Sequence, residues 1–251
     1  GVHDTSDTSI IPATYESAVF RVHWYSSTNV SWVPSAGTYT FNGDFAYSVS
    51  GTGNHTIDNS VNNPNFVFKK GISISTTSTG SALWTKGTGT ITFSGTSAQT
   101  ADFLDKSVED IVISNTSATV SLLDNGVTTD SLTVDSGATF DLNGENLSYA
   151  SASSTTNNGT IKLKGSETLT NVSDLDTDSG TVVYYGDNGG GGSPFTIKDF
   201  GTTDYYNLTF NATLGTDVFR PADTLTVANN LTITQGTFDN ATNDENINVT
   251  G

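Results

Sequence analysis

A chain of 251 residues with 26 Asp plus Glu against nine Lys plus Arg carries a net charge of −17. It lacks the clustered cations that release counterions from phosphate, which excludes nucleic acid as a partner. The absence of cysteine removes disulfides, thiolate metal sites and cysteine nucleophiles together.

With 43 Thr and 30 Ser but only 14% charged residues, against about 25% in ordinary soluble domains, the surface is hydroxyl-rich. Patterned apolar positions separate the chain from disordered sequences. No apolar run is long enough for a membrane-spanning helix. Methionine is absent and the sequence opens Gly1-Val2-His3. The expectation is a chain processed by signal-peptide removal and placed outside the cell or on its surface.

Residues 1–35 differ from the rest. The stretch up to Tyr15 is polar and reads as a tail. Val19–Trp24 then alternates Phe20, Val22 and Trp24 with Arg21 and His23. That pattern predicts a strand which either caps the first coil or is donated to a neighbouring subunit, with Phe20, Val22 and Trp24 as the assembly residues.

From residue 37 a phrase recurs: GTYTFNG at Gly37–Gly43, GTITFSG at Gly89–Gly95, GTIKLKG at Gly159–Gly165 and GTVVYYG at Gly180–Gly186, with echoes from Gly137 and Gly236. Strand patterns also lie at Asn65–Phe68, Asp110–Ile113, Ser131–Val134, Tyr205–Phe210, Leu231–Thr234 and Ile247–Thr250, most of them bounded by Gly, Asn, Asp or Ser. No amphipathic helix is predicted. Asp110–Asn115 resembles Asn207–Ala212, and Ser131–Gly137 resembles Asn230–Gly236. The expected repeat regions are therefore 36–88, 89–179 and 180–251.

Gaps between the phrases suit coils of about 21–28 residues. The predicted fold is all-β, a parallel β-helix (β-solenoid) with an N-terminal cap or donor strand. Tandem antiparallel β-sandwiches are the alternative, because strands every 8–12 residues also fit them. Gly189–Gly192 reads as a loop, with no following Lys or helix to make a phosphate cradle.

Asp174, Asp176 and Asp178, followed by Gly180, resemble a calcium loop, since Ca²⁺ takes hard oxygens from a tight turn. A solvated acidic turn is the competing reading, and calcium is the one cofactor considered. His3, His23 and His55 are scattered and form no zinc or triad spacing. With only Arg21 and Arg220 as arginines, a lyase or glycosidase site is not expected, and neither is any other enzyme activity. Sugar-stacking aromatics would come from Trp24, Trp32, Trp84, Tyr184, Tyr185, Tyr205 or Tyr206. Thr-x-Thr pairs such as Thr38/Thr40 and Thr90/Thr92 are too unevenly spaced in sequence for a regular array. Glycosylation sequons begin at Asn29, Asn54, Asn115, Asn146, Asn158, Asn171, Asn207, Asn211, Asn230, Asn240 and Asn248.

Phrases such as GTITFSG, DYYNLTF, DSLTVDSGATFDLNG and DTLTVANNLTITQGTFDN resemble the β-strand-repeat regions of large prokaryotic surface and adhesin-type proteins, over roughly residues 87–251. The resemblance implies an extracellular parallel β-helix with adhesive, scaffolding or filament-forming roles, and supplies no catalytic residues. The expected function is a structural, acidic glycoprotein, part of a self-assembling filament, sheath, surface layer or adhesin. The expected partners are further copies of itself and surface glycans. A carbohydrate-binding or polysaccharide-cleaving module is the alternative.

Overall fold

Short strands with every second residue apolar must bury one face and wet the other. A chain that supplies such strands in series, joined by corners that turn it onto a new face rather than back along the strand just made, satisfies both demands by winding. The computed structural model describes residues 2–3, 10–187, 193–242 and 244–251, and shows that winding: a parallel β-solenoid of about ten turns, with no helix among the described residues. The loop expected at Gly189–Gly192 lies outside the described residues.

One long sheet of twelve strands runs from Val2–His3 through Val19–Trp24, Asp44–Val49, Ile72–Thr76, Gln99–Asp102, Val120–Leu122, Thr139–Asp141, Thr160–Leu163, Thr181–Tyr184, Tyr205–Asn211 and Leu225–Gln235 to Ile247–Val249. A second sheet of seven strands runs from Thr14–Tyr15 to Thr156–Asn157. Three short sheets of three strands each complete the wall: Val30–Trp32 with His55–Asp58 and Ala82–Thr85, Val127–Thr129 with Leu147–Ser154 and Leu169–Asp174, and Phe195–Ile197 with Val218–Pro221 and Thr237–Phe238. The pairings are parallel throughout, which overturns the antiparallel sandwich alternative. At about 4.8 Å per strand, the long sheet extends about 50 Å.

Facing residues in neighbouring turns are separated along the chain by 19 residues (Phe219 with Phe238) to 29 (Ile72 with Ala101). The Gly-Thr phrase marks strand entry rather than one face. Thr38–Phe41 and Thr90–Phe93 lie in the second sheet, Thr160–Leu163 and Thr181–Tyr184 in the long sheet. The glycine is needed at the corner: a Cβ on Gly89 would come within 2.0 Å of the Pro64 carbonyl oxygen. Gly180 combines φ +67° with a carbonyl, that of Asn157, 2.1 Å from where its Cβ would stand.

Unequal coil lengths are absorbed in such corners, so uneven sequence becomes regular space. Thr40, Val67, Thr92, Val112, Thr133 and Thr156 form one continuous outward column on the second sheet. Val67 and Val112 interrupt its threonines, and Thr38 and Thr90 beside it face Asn65 and Asp110, so the column is not a regular threonine array.

The interior is dry and aromatic in the first turns. Phe41 stacks on Phe68 at 5.5 Å and Phe20 on Phe45 at 5.8 Å, with Phe93 tilted on Phe68 at 5.7 Å. Ile111, Ile113, Leu132, Val134, Ile161 and Leu163 fill the middle turns. Tyr184, Tyr205, Phe210 and Phe219 then restore an aromatic core.

Candidate functional site

The acidic run does not converge on an ion. Asp174 Oδ1 accepts the Asp176 N–H at 3.0 Å, and Asp176 Oδ1 accepts that of Asp178 at 3.0 Å, while Asp174 Oδ2 accepts the Ser154 hydroxyl. Asp176 Oδ2 accepts the Asn157 N–H at 2.8 Å and the Ser179 hydroxyl at 3.1 Å. Burial pulls the Asp176 carboxyl up, but these N–H and O–H donors outweigh it and hold the group below its ordinary value. Thr156–Asn157 is the last strand of the second sheet. A carboxylate thus takes the place of the next strand and puts negative charge on an edge that would otherwise template pairing. Among the described residues no three His, Asp or Glu side chains gather as a metal site.

Phe20, Val22 and Trp24 are buried in the core of their own chain. Their strand pairs along its whole length with Asp44–Val49, and through Arg21 and Val22 with Val2–His3. Strand donation would require it to leave its own coil.

The tryptophans, Tyr184 and Tyr205 are buried as well, which removes them as sugar platforms. Tyr184 and Tyr205 share a hydroxyl contact of 2.8 Å, and Tyr205 donates to the Lys198 carbonyl at 2.7 Å; burial pushes both phenols well above their usual range. Half-buried Tyr185 donates to Asp141 at 3.0 Å and lies under the Lys162 ammonium, which also pairs with Asp141 at 3.2 Å. Desolvation raises the Tyr185 phenol, and the Asp141 charge adds to it.

His23 is bracketed by Ser48 and Ser50. His55 is stacked on Trp24 inside the core, where neither ring nitrogen has a partner.

The sequons divide by environment. Asn115 is buried and its amide donates to Ser97 and Gln99. The amides of Asn171, Asn207, Asn230 and Asn240 are also engaged, donating to the Tyr149 carbonyl, the Gly180 carbonyl, Asn207 Oδ1 and the Glu245 carbonyl. Asn29, Asn54, Asn146, Asn158, Asn171, Asn211, Asn230 and Asn248 stand exposed.

Sequence reasoning missed the buried polar staples. Glu109 is fully buried and accepts Asn59 Nδ2 at 2.8 Å, Trp84 Nε1 at 2.9 Å and the Gly87 N–H at 2.9 Å. It sits where the first short sheet ends at Ala82–Thr85. Glu167 likewise accepts the N–H groups of Gly144, Lys164 and Gly165. Asp204 accepts those of Phe200 and Thr226, and burial raises its carboxyl despite them. No motif announces these residues, because each takes at least one donor from another turn. The asparagines act similarly: Asn29, Asn63, Asn65 and Asn146 cap N–H groups of the next turn.

At the far end, Leu231, Thr232 and Ile233 face Leu208, Thr209 and Phe210, while only Leu225–Val227 of the same strand is covered by Ile247–Val249. The later half of Leu225–Gln235 is therefore paired on one side among the described residues, and Ile233 is 51% exposed there. No protein-family model, curated protein or solved structure matches the chain.

Proposed function

We propose that the chain is an extracellular structural β-solenoid, a segment of a self-assembling filament, sheath, surface layer or adhesin. The observation that carries this reading is the uninterrupted parallel stacking of about ten turns, which ends among the described residues at the half-paired strand Leu225–Gln235. That strand offers unpaired backbone groups and the inward-type side chains Leu231 and Ile233 at one end of an about 50 Å ladder. A parallel strand completes this edge: a following coil of a longer chain supplies one, and so does a head-to-tail copy, which adds it without closing a ring, as open filaments grow.

The resemblance of the repeats to surface-protein β-strand repeats supports the extracellular setting. The hydroxyl-rich exterior and eight exposed sequon asparagines suit it, with glycans as decoration. Catalysis is not part of the reading.

Negative-stain microscopy at micromolar protein tests it. Fibres or sheets are expected, and Ile233→Lys, which puts a charge on the open edge, is expected to abolish them while the solenoid keeps its far-ultraviolet spectrum. Dispersed particles for the unmodified chain would overturn self-assembly of this segment. The same grids with and without Ca²⁺ show whether the Asp174–Asp178 turn contributes: assembly that needs the ion would assign it a role beyond capping the sheet.

A further inference from the structure

The corner between the long sheet and the first short sheet lies between named strands and takes no part in the proposed assembly edge. There Tyr25, Ser26, Ser27, Ser50, Gly51 and Thr52 line an open groove of about 350 Å³, within the ~300–1,000 Å³ of small-molecule sites. The alternation that sends Trp24 inward turns the next residue outward, and Tyr25 is 81% exposed.

The groove is preformed. The Gly53 N–H donates to the Ser26 carbonyl at 3.0 Å, the Thr28 N–H donates to Ser26 Oγ at 3.1 Å, and the Ser26 and Thr28 hydroxyls lie 2.9 Å apart. Gly51 lets the two turns close, since a Cβ there would meet the Ser26 carbonyl oxygen at 2.1 Å.

Four hydroxyls and a phenol line this groove, and none of its six residues is charged. Hydroxyls both donate and accept, which matches a ligand that is itself hydroxylated. The negative face of an aromatic ring attracts the positively polarised C–H groups of a pyranose. With no cation in the lining, phosphate or uronate would go unneutralised.

We propose that this groove binds a neutral sugar, stacked on Tyr25 and hydrogen-bonded by Ser26, Ser27, Ser50 and Thr52. The sequon asparagines Asn29 and Asn54 are exposed on the same corner, joined by the Asn54 N–H donating to Asn29 Oδ1 at 2.8 Å. The sugar therefore has two sources: a glycan on the chain's own Asn29 or Asn54, or a free glycan. The site does not depend on assembly, and its test reads the unassembled Ile233→Lys chain as well as the parent.

The chain from a host without N-glycosylation is titrated at millimolar mannose, glucose, galactose and N-acetylglucosamine while the Tyr25 ring resonances are followed. At least one sugar is expected to shift them. Read through the backbone amide resonances of Ser26, Ser27 and Thr52, Tyr25→Ala is expected to weaken binding at least about tenfold, and Tyr25→Phe to retain it. Thr52→Arg, which fills the groove from its rim, is a second route to the same loss.

In protein from a glycosylating host, Tyr25 resonances already shifted, and restored by Asn29→Gln or Asn54→Gln, would identify the attached glycan as the occupant. Resonances matching the bare chain, together with binding of added sugar, would identify a free one. The proposal is overturned if no sugar perturbs Tyr25 and glycosylation leaves it unchanged, or if Tyr25→Ala binds undiminished.

Discussion

The turns spanning residues 38–93 and those spanning residues 110–163 are built from the same strand pattern but differ in girth. Facing residues in the first group are 27 apart (Thr38 with Asn65) and 25 apart (Phe66 with Ile91). In the second they are 21 apart (Ile111 with Leu132, and Thr139 with Thr160). Phenyl rings fill the wide turns; Ile, Leu and Val fill most of the narrow ones. Where Tyr184, Phe210 and Phe219 return, the separation rises again to 26, between Thr181 and Asn207. Interiors are close-packed and tolerate neither void nor excess, so the length of a coil and the bulk of its inward side chains have to change together.

The step between the two regimes is where a substitution should cost most. Glu109→Ala strands the donors of Asn59, Trp84 and Gly87, at about 1–3 kcal/mol for each buried group left unsatisfied. It should lower the thermal midpoint more than any surface change. A loss no larger than that of a single neutral hydrogen bond would show that the carboxylate is not the staple.

Next comes Phe68→Ala in a wide turn, a cavity among stacked rings costing about 3–5 kcal/mol. Its reciprocal is Ile113→Phe in a narrow turn, an overpacking of about 1–3 kcal/mol. Chemical denaturation of both sharpens the comparison: if Ile113→Phe is accepted without loss, girth is not set by core bulk.

The smallest effect is expected at the second step, where Asp176 ends the second sheet. Its folded-state carboxyl lies below the ordinary value, so its contribution is complete above the ordinary carboxylate range and is lost as pH falls through the depressed value. Asp176→Asn should be the less stable chain at neutral pH, with the two unfolding midpoints converging in acid. A gap that stays constant with pH would refute the ionic part of this cap.

The winding itself was legible in the sequence, because a glycine at each tight corner and alternation between corners leave marks on local residues. The faces were not: the same phrase enters the second sheet at Thr38 and the long sheet at Thr160, since face is decided by how many residues the preceding corner consumed. Local spacing shows the carboxylates of the Asp174–Asp178 run but not the Asn157 and Ser154 donors that an earlier turn brings to them. Glu109 left no mark for the same reason. Tyr25 was hidden by the residue beside it: alternation points to Trp24 as the notable aromatic, while the exposed ring is its neighbour.

The unequal turns also have a mechanical reading. Pulled from its ends, a solenoid whose ladder bonds run along its axis peels turn by turn. Each rupture frees a contour length set by the coil that let go, at about 3.3–3.6 Å per residue. A narrow turn of 20 residues, such as that between Val120 and Phe140, yields about 70 Å, and a wide one of 27, between Thr38 and Asn65, about 90 Å. The spacing of force peaks along one stretched molecule would then record the girth of the core from one end to the other.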